Sequence, residues 1–143
     1  MIKENQHVLN IINVLTDGLL VVLSVFAAYF IRFVILTGES GHIGFGFYVL
    51  LSVAMMPGFL FLYAMFGLYE SFRAKNFTRE LELLLQANVI GTAALLALQF
   101  LLRNVDISRL LLFFFFLLST FSVAVKRLCL RRLLRHYRSL GYN

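Results

Sequence analysis

Four long apolar runs joined by short polar connections leave this chain of 143 residues few ways to fold. They cover roughly residues 18–36, 47–68, 83–102 and 110–125, and at 1.5 Å per residue a run of about 20 matches the hydrocarbon thickness of a bilayer. With 61% hydrophobic residues, 14% charged residues and 16 Phe against one Pro, the chain lies well outside the composition of soluble domains and cannot be disordered. The expected fold is an all-α membrane protein: four transmembrane helices in an antiparallel bundle, forming a single domain over residues 1–143. No separate soluble catalytic domain fits in the remaining residues.

Each run carries its own signals. Ahead of the first, Val8, Ile11, Ile12 and Leu15 recur at helical spacing, which predicts an N-terminal interfacial helix feeding span one. The weakly basic start and the three later spans argue against a cleaved signal peptide. Arg32, within two turns of the end of span one, is placed to snorkel or to pair with an acid. Pro57 and Gly58 predict a kink or packing notch in span two. In span three, Ala87, Gly91 and Ala94 form a small-residue stripe beside Gln86, Asn88, Thr92 and Gln99, so this helix should pack closely in the bundle. Span four, with Phe113 to Phe116 in succession, is apolar all round, and much of it should meet lipid.

The basic residues set the expected orientation. Lys3, the three cations of the 70–82 loop (Arg73, Lys75, Arg79) and six from Lys126 onward place ten on one side, against Arg32, Arg103 and Arg109 on the other. Positively charged connections stay cytoplasmic, so both termini should be cytoplasmic. Past span four, Leu130, Leu133, Leu134, Tyr137 and Leu140 trace one helical face and Arg127, Arg131, Arg135 and Arg138 another. This is a basic amphipathic C-terminal helix over residues 126–140, and Arg127, Arg131, Arg132, Arg135 and Arg138 are candidate lipid-headgroup contacts. Asp17, at the start of span one, calls for a partner, with an arginine of the second loop or the tail as the candidate and proton coupling as the sharper alternative. Asn76 or Thr78 can cap helix three, with Glu80 and Glu82 complementing its dipole, and Asp106 or Ser108 can cap helix four.

Catalytic patterns are missing. There is no Gly-rich phosphate loop, His7, His42 and His136 are scattered, and Glu80 and Glu82 point to different sides of a helix. The single Cys129 excludes an internal disulfide and a cysteine-based zinc site. These residues name no catalytic group, metal site or cofactor, and the basic residues beside membrane spans point to lipid, not to nucleic acid.

Several segments together carry a family resemblance. Asp17 leads span one and Ala28-Tyr29-Phe30-Ile31-Arg32 closes it; Gly67-Leu68-Tyr69-Glu70-Ser71-Phe72-Arg73 follows span two; Ser108-Arg109 opens span four; and the chain ends Arg138-Ser139-Leu140-Gly141-Tyr142-Asn143. In this order and spacing they resemble the N-terminal four-helix membrane domain of bacterial polyprenyl glycosylphosphotransferases, which initiate exopolysaccharide, capsule or O-antigen synthesis. The resemblance implies a parent enzyme that transfers a sugar-1-phosphate from a UDP-sugar to undecaprenyl phosphate. Its magnesium-dependent catalytic domain would lie beyond Asn143, and this chain would be non-catalytic, anchoring and self-associating in the bacterial cytoplasmic membrane. Expected partners are membrane lipids, undecaprenyl phosphate as an open candidate, and further copies of the chain. Asp17, Arg32, Arg73, Asn88, Gly91 and Arg109 are its expected structural polar and packing residues. Membrane-bound nucleotide-sugar dehydratases have a similar start, and a stand-alone four-span transporter or flippase of lipid-linked sugars is the alternative of a different class. Replacing Arg131, Arg132 and Arg135 with Gln in the isolated tail helix should weaken its binding to anionic vesicles. Equal partitioning of the two peptides would contradict the headgroup role.

Overall fold

A computed structural model describes residues 2–37, 44–70, 76–102 and 107–139, with side chains for 7–37, 44–70, 76–102 and 107–136. Its elements are α1 (Ile2–Tyr29), continued by a π-helical segment (Phe30–Leu36), then α2 (Phe45–Met65), α3 (Phe77–Leu101) and α4 (Arg109–Ser139). All are helical, and all four are long and apolar enough to cross a membrane. Around the bundle α1 packs on α2 and α4, and α3 packs on the same two; α1 and α3 are diagonal and do not meet. The amphipathic segments at the two ends are not separate helices. The N-terminal one is the first half of α1 and the C-terminal one the last turns of α4, because no Pro breaks either run.

Between 22% and 28% of each apolar window is buried inside the bundle, so most of every span presents apolar side chains outward, as contact with lipid requires. The core is a central column of Val21, Val25, Ala28, Tyr48, Met55, Phe59, Tyr63, Leu84, Ala87, Leu111, Phe115 and Val123. At the end away from the termini, an aromatic cluster of Tyr29, Phe33, Phe45, Phe47 and Tyr48 joins α1 and its π-helical continuation to α2, with ring centroids 4.9–5.7 Å apart. Arg32 belongs to this end: its Nε donates to Ser108 Oγ (3.1 Å) and its Nη1 to Thr37 Oγ1 (3.1 Å), while Thr37 Oγ1 donates to the carbonyl of Arg32 (2.7 Å). The π-helical register, which the sequence reading did not anticipate, sets Thr37 five residues on within reach of the carbonyl of Arg32. Arg109 beside it is exposed.

Two sequence expectations change. The small-residue stripe on α3 buries Ala87 and Gly91 but not Ala94, which points outward; its place on the packed face is taken by Asn88 and the half-buried Leu95. The helical period decides this, since Leu84, Ala87, Asn88 and Gly91 fall on one face and residue 94 lies beyond its edge. Asn76 occupies the N-cap of α3 but makes no side-chain cap bond; its backbone carbonyl accepts from Glu80 N–H (3.1 Å). Pro57 lies within α2 on its exposed side, where its ring displaces nothing in the core.

Gly91 has a specific reason to lack a side chain. A β-carbon there would sit 2.6 Å from the Phe59 ring and 3.1 Å from Leu62 Cδ1, so α2 and α3 can approach as they do only around a glycine. Gly91→Leu should cost about 1–3 kcal/mol by overpacking. The expected readout is a lower melting temperature in detergent; unchanged melting would show that α2 and α3 do not meet at this glycine.

Candidate functional site

The polar contacts among the described residues are not spread evenly along the helices; besides the Arg32 contacts at the far end, they collect at two further levels. Midway through the bundle Tyr63 OH donates to Asn88 Oδ1 (2.8 Å) and Asn88 Nδ2 donates to Thr120 Oγ1 (2.8 Å), one chain of bonds from α2 through α3 to α4. Asn88 and Tyr63 have no exposed surface. An amide with both ends bonded inside an apolar bundle fixes helix rotation, because turning α3 would strand it. Gln86, one of the other polar residues of α3, faces outward, and Gln99 Nε2 donates to the carbonyl of Ile107 just ahead of α4.

The second level lies at the end that carries the termini, and it contains the acids. Asp17 is 0% exposed. Lys126 Nζ donates to Asp17 Oδ1 (2.6 Å) and to the carbonyl of Asn13 (3.0 Å), while Arg127 Nη2 stands 3.5 Å from Asp17 Oδ2. Arg127 is itself buried, and its Nη1 donates to the carbonyl of Leu68 (3.0 Å). One turn further along α4, Arg131 pairs with the buried Glu80 of α3 (3.0 Å) and lies over the Phe77 ring. Spacing of i, i+4 on α4 thus points Arg127 and Arg131 the same way, into two acids held by different helices.

The turn after α2 completes this level. Gly67 has φ 66°, and Leu68 N–H donates to the carbonyl of Tyr63 (2.9 Å) while Gly67 N–H donates to that of Ala64 (3.0 Å), the Schellman end of a helix. Only glycine adopts that backbone at no cost, and the reversal leaves the Leu68 carbonyl facing Arg127. It also brings the Tyr69 phenol next to Asp17. Burial pushes that phenol well above its ordinary pKa, and the Asp17 carboxylate beside it adds to the push. The Gly67-Leu68-Tyr69 segment is therefore a helix stop, a carbonyl acceptor and a phenol, three parts of one cluster with Asp17 and Arg127.

Placement of the expected site residues follows from this geometry. Arg127 and Arg131 are turned into the bundle in place of the headgroup face, because Asp17, Leu68 and Glu80 lie on that side of α4. Arg132 and Arg135 are exposed. Asp17, Arg32, Asn88 and Gly91 all make interhelical contacts, though at three different levels, and Arg109 makes none that holds the cluster together. Arg73 lies outside the described residues, as does the side chain of Arg138. Glu80 was read as a dipole partner, and its pairing with Arg131 escaped sequence reasoning, as did the roles of Lys126 and Tyr69. The available signal was the run Lys126-Arg127-x-x-x-Arg131 matched by two acids at the same membrane depth on separate helices. Among the described residues no three of His, Cys, Asp and Glu are grouped to hold a metal.

Four apolar spanning helices closed by buried ion pairs define a multi-pass, helical membrane protein. Residues 64–143, more than half of the chain, match a family described as a CoA-binding domain, and the chain belongs to that family, which is found in sugar transferase-related proteins. No curated protein and no solved structure matches the chain.

Removing one member of a buried pair leaves an uncompensated charge and typically costs about 3–5 kcal/mol. Asp17→Ala should destabilise the bundle on that scale in detergent unfolding. In a cycle with Arg127→Gln, the combined loss should be smaller than the sum of the two single losses. Strict additivity would show that the two groups do not act as a pair.

Proposed function

We propose that the chain is the membrane domain of a bacterial sugar-1-phosphate transferase of the polyprenyl glycosylphosphotransferase kind. In this reading it anchors and self-associates in the cytoplasmic membrane, with both termini on the cytoplasmic side, and holds the chemistry-bearing part of its parent at the lipid surface. One observation carries the reading: the segments behind the family resemblance, Asp17 and Gly67-Leu68-Tyr69, meet Arg127 in one buried cluster. They thus form one structural unit. The membership of residues 64–143 in a family found in sugar transferase-related proteins supports it from an independent direction.

The family's description names coenzyme A, and the described residues of the match show no cradle for that ligand. They form the end of α2, α3 and α4, predominantly apolar helices. A multiply charged nucleotide needs a cradle of cations and backbone N–H groups; Arg127 and Arg131 are already bonded to Asp17, Leu68 and Glu80, which leaves Arg132 and Arg135 as the exposed cations of the last turns of α4. The start of α3, the one helix N-terminus at this end within the match, carries Glu80 and Glu82, which repel phosphate. No step is assigned to coenzyme A.

The chemistry itself is assigned to a part of the parent outside these residues. Its magnesium and the site for undecaprenyl phosphate go with that part, and the membrane domain supplies depth and orientation. The test is made in the source membranes. An antibody against the tail should detect a polypeptide well above 16.4 kDa, and those membranes should transfer labelled sugar phosphate from a UDP-sugar to undecaprenyl phosphate. A polypeptide of 16.4 kDa with no transfer would replace this reading with a stand-alone flippase or accessory role.

A further inference from the structure

The bonds around Asp17 leave three buried polar atoms of that level without a hydrogen-bond partner: Asp17 Oδ2, Arg127 Nε and the Tyr69 hydroxyl. Folded proteins pair nearly all of their buried polar atoms with protein or with ordered water, so each exception calls for a cause. Two further buried atoms of this kind, Thr92 Oγ1 and Gln99 Oε1, lie on α3 beyond Asn88, at other depths of the bundle.

The three belong to side chains that meet. Arg127 Nη2 stands 3.5 Å from Asp17 Oδ2, outside the range of a good hydrogen bond, so guanidinium and carboxylate face each other without closing. Arg127 Nη1 is bonded to the carbonyl of Leu68, which sets Arg127 against the residue before Tyr69. The Tyr69 phenol in turn lies close enough to Asp17 to feel its charge. Thus α1, α4 and the turn after α2 each bring one unpaired atom to the same contact.

The mixture of atoms decides what can satisfy them. The oxygen of an ionised carboxylate only accepts, the Nε–H of a guanidinium only donates, and a phenol does either. A cation there would meet Arg127 and Lys126, and an anion would meet Asp17. Water carries donors and acceptors together. It can donate to Asp17 Oδ2 and accept from Arg127 Nε and from the Tyr69 hydroxyl, three bonds in all, the usual number for a buried water. Lys126, on the other oxygen of Asp17, keeps 11% of its side-chain surface exposed and connects the cluster to the outside. We propose that one water molecule is bound between Asp17 Oδ2, Arg127 Nε and the Tyr69 hydroxyl, an internal ligand that joins α1, α4 and the turn after α2. The Tyr63 hydroxyl, already bonded to Asn88, requires none.

The test is a crystal structure of the full chain grown from a lipid mesophase, at a resolution that shows ordered water, with bromide in the mother liquor. One water peak should lie within about 3.2 Å of Asp17 Oδ2, Arg127 Nε and the Tyr69 oxygen, with no anomalous signal and no counterpart against the Tyr63 hydroxyl. A direct bond from Tyr69 or from Arg127 Nε to Asp17 Oδ2 that closes the space overturns the site. Anomalous signal from bromide overturns it in favour of an anion. A map with the three atoms apart and no peak between them overturns it outright.

Discussion

A carboxylate without exposed surface at the edge of an apolar bundle is tolerable only if cations stand within contact distance, since the cost of taking a bare charge out of water exceeds what packing returns. Asp17 meets that condition through Lys126 on one oxygen and Arg127 near the other. The same contact fixes the depth of α4 against α1, and through the Arg127 bond to the Leu68 carbonyl it fixes where α2 stops. Arg131 with Glu80 then locks the start of α3 to the same helix. One stretch of α4, residues 126–131, thereby touches α1, α3 and the turn that ends α2.

Between this level and the far end, the bundle relies on a different physics. There is no hydrophobic driving force between helices in lipid, so close packing and satisfied polar groups must hold them. Gly91 against Phe59 provides the first, and the Tyr63, Asn88 and Thr120 chain the second. At the far end Arg32 ties the π-helical segment to Ser108 beside a cluster of aromatic rings. The charged contacts sit toward the two ends and the neutral ones in the middle, in line with the rising cost of charge toward the centre of a bilayer.

This arrangement sets the direction of α4 past the ion cluster. Its last turns continue a helix clamped by Asp17 and Glu80, so they keep the orientation of the bundle. Within those turns the basic side chains divide: Arg127 and Arg131 hold the helix in place, and Arg132 and Arg135 face outward.

The four helices, their apolar exteriors and the absence of soluble-domain composition were legible in the sequence, because membrane insertion requires about 20 apolar residues per span and nothing else in a chain imitates that. A cationic partner for Asp17 was also legible as the favoured reading, since an ionised carboxylate at the start of a span needs a partner or access to water. The identity of that partner was not. Lys126 and Arg127 lie 109 and 110 positions away, and of six cations in the tail only helix rotation selects which two reach the acid. For the same reason Arg127 and Arg131 could be read as a lipid-facing stripe: periodicity shows that they share a face but not which way that face turns. The sequence by itself determined the number, length and apolar character of the helices, which depend on local pattern and the thickness of a bilayer. Only the tertiary structure decided which face of α4 turns inward, how Gly67 aims a carbonyl at Arg127 and where Glu80 finds its partner, because those depend on how helices distant in the chain rotate against each other.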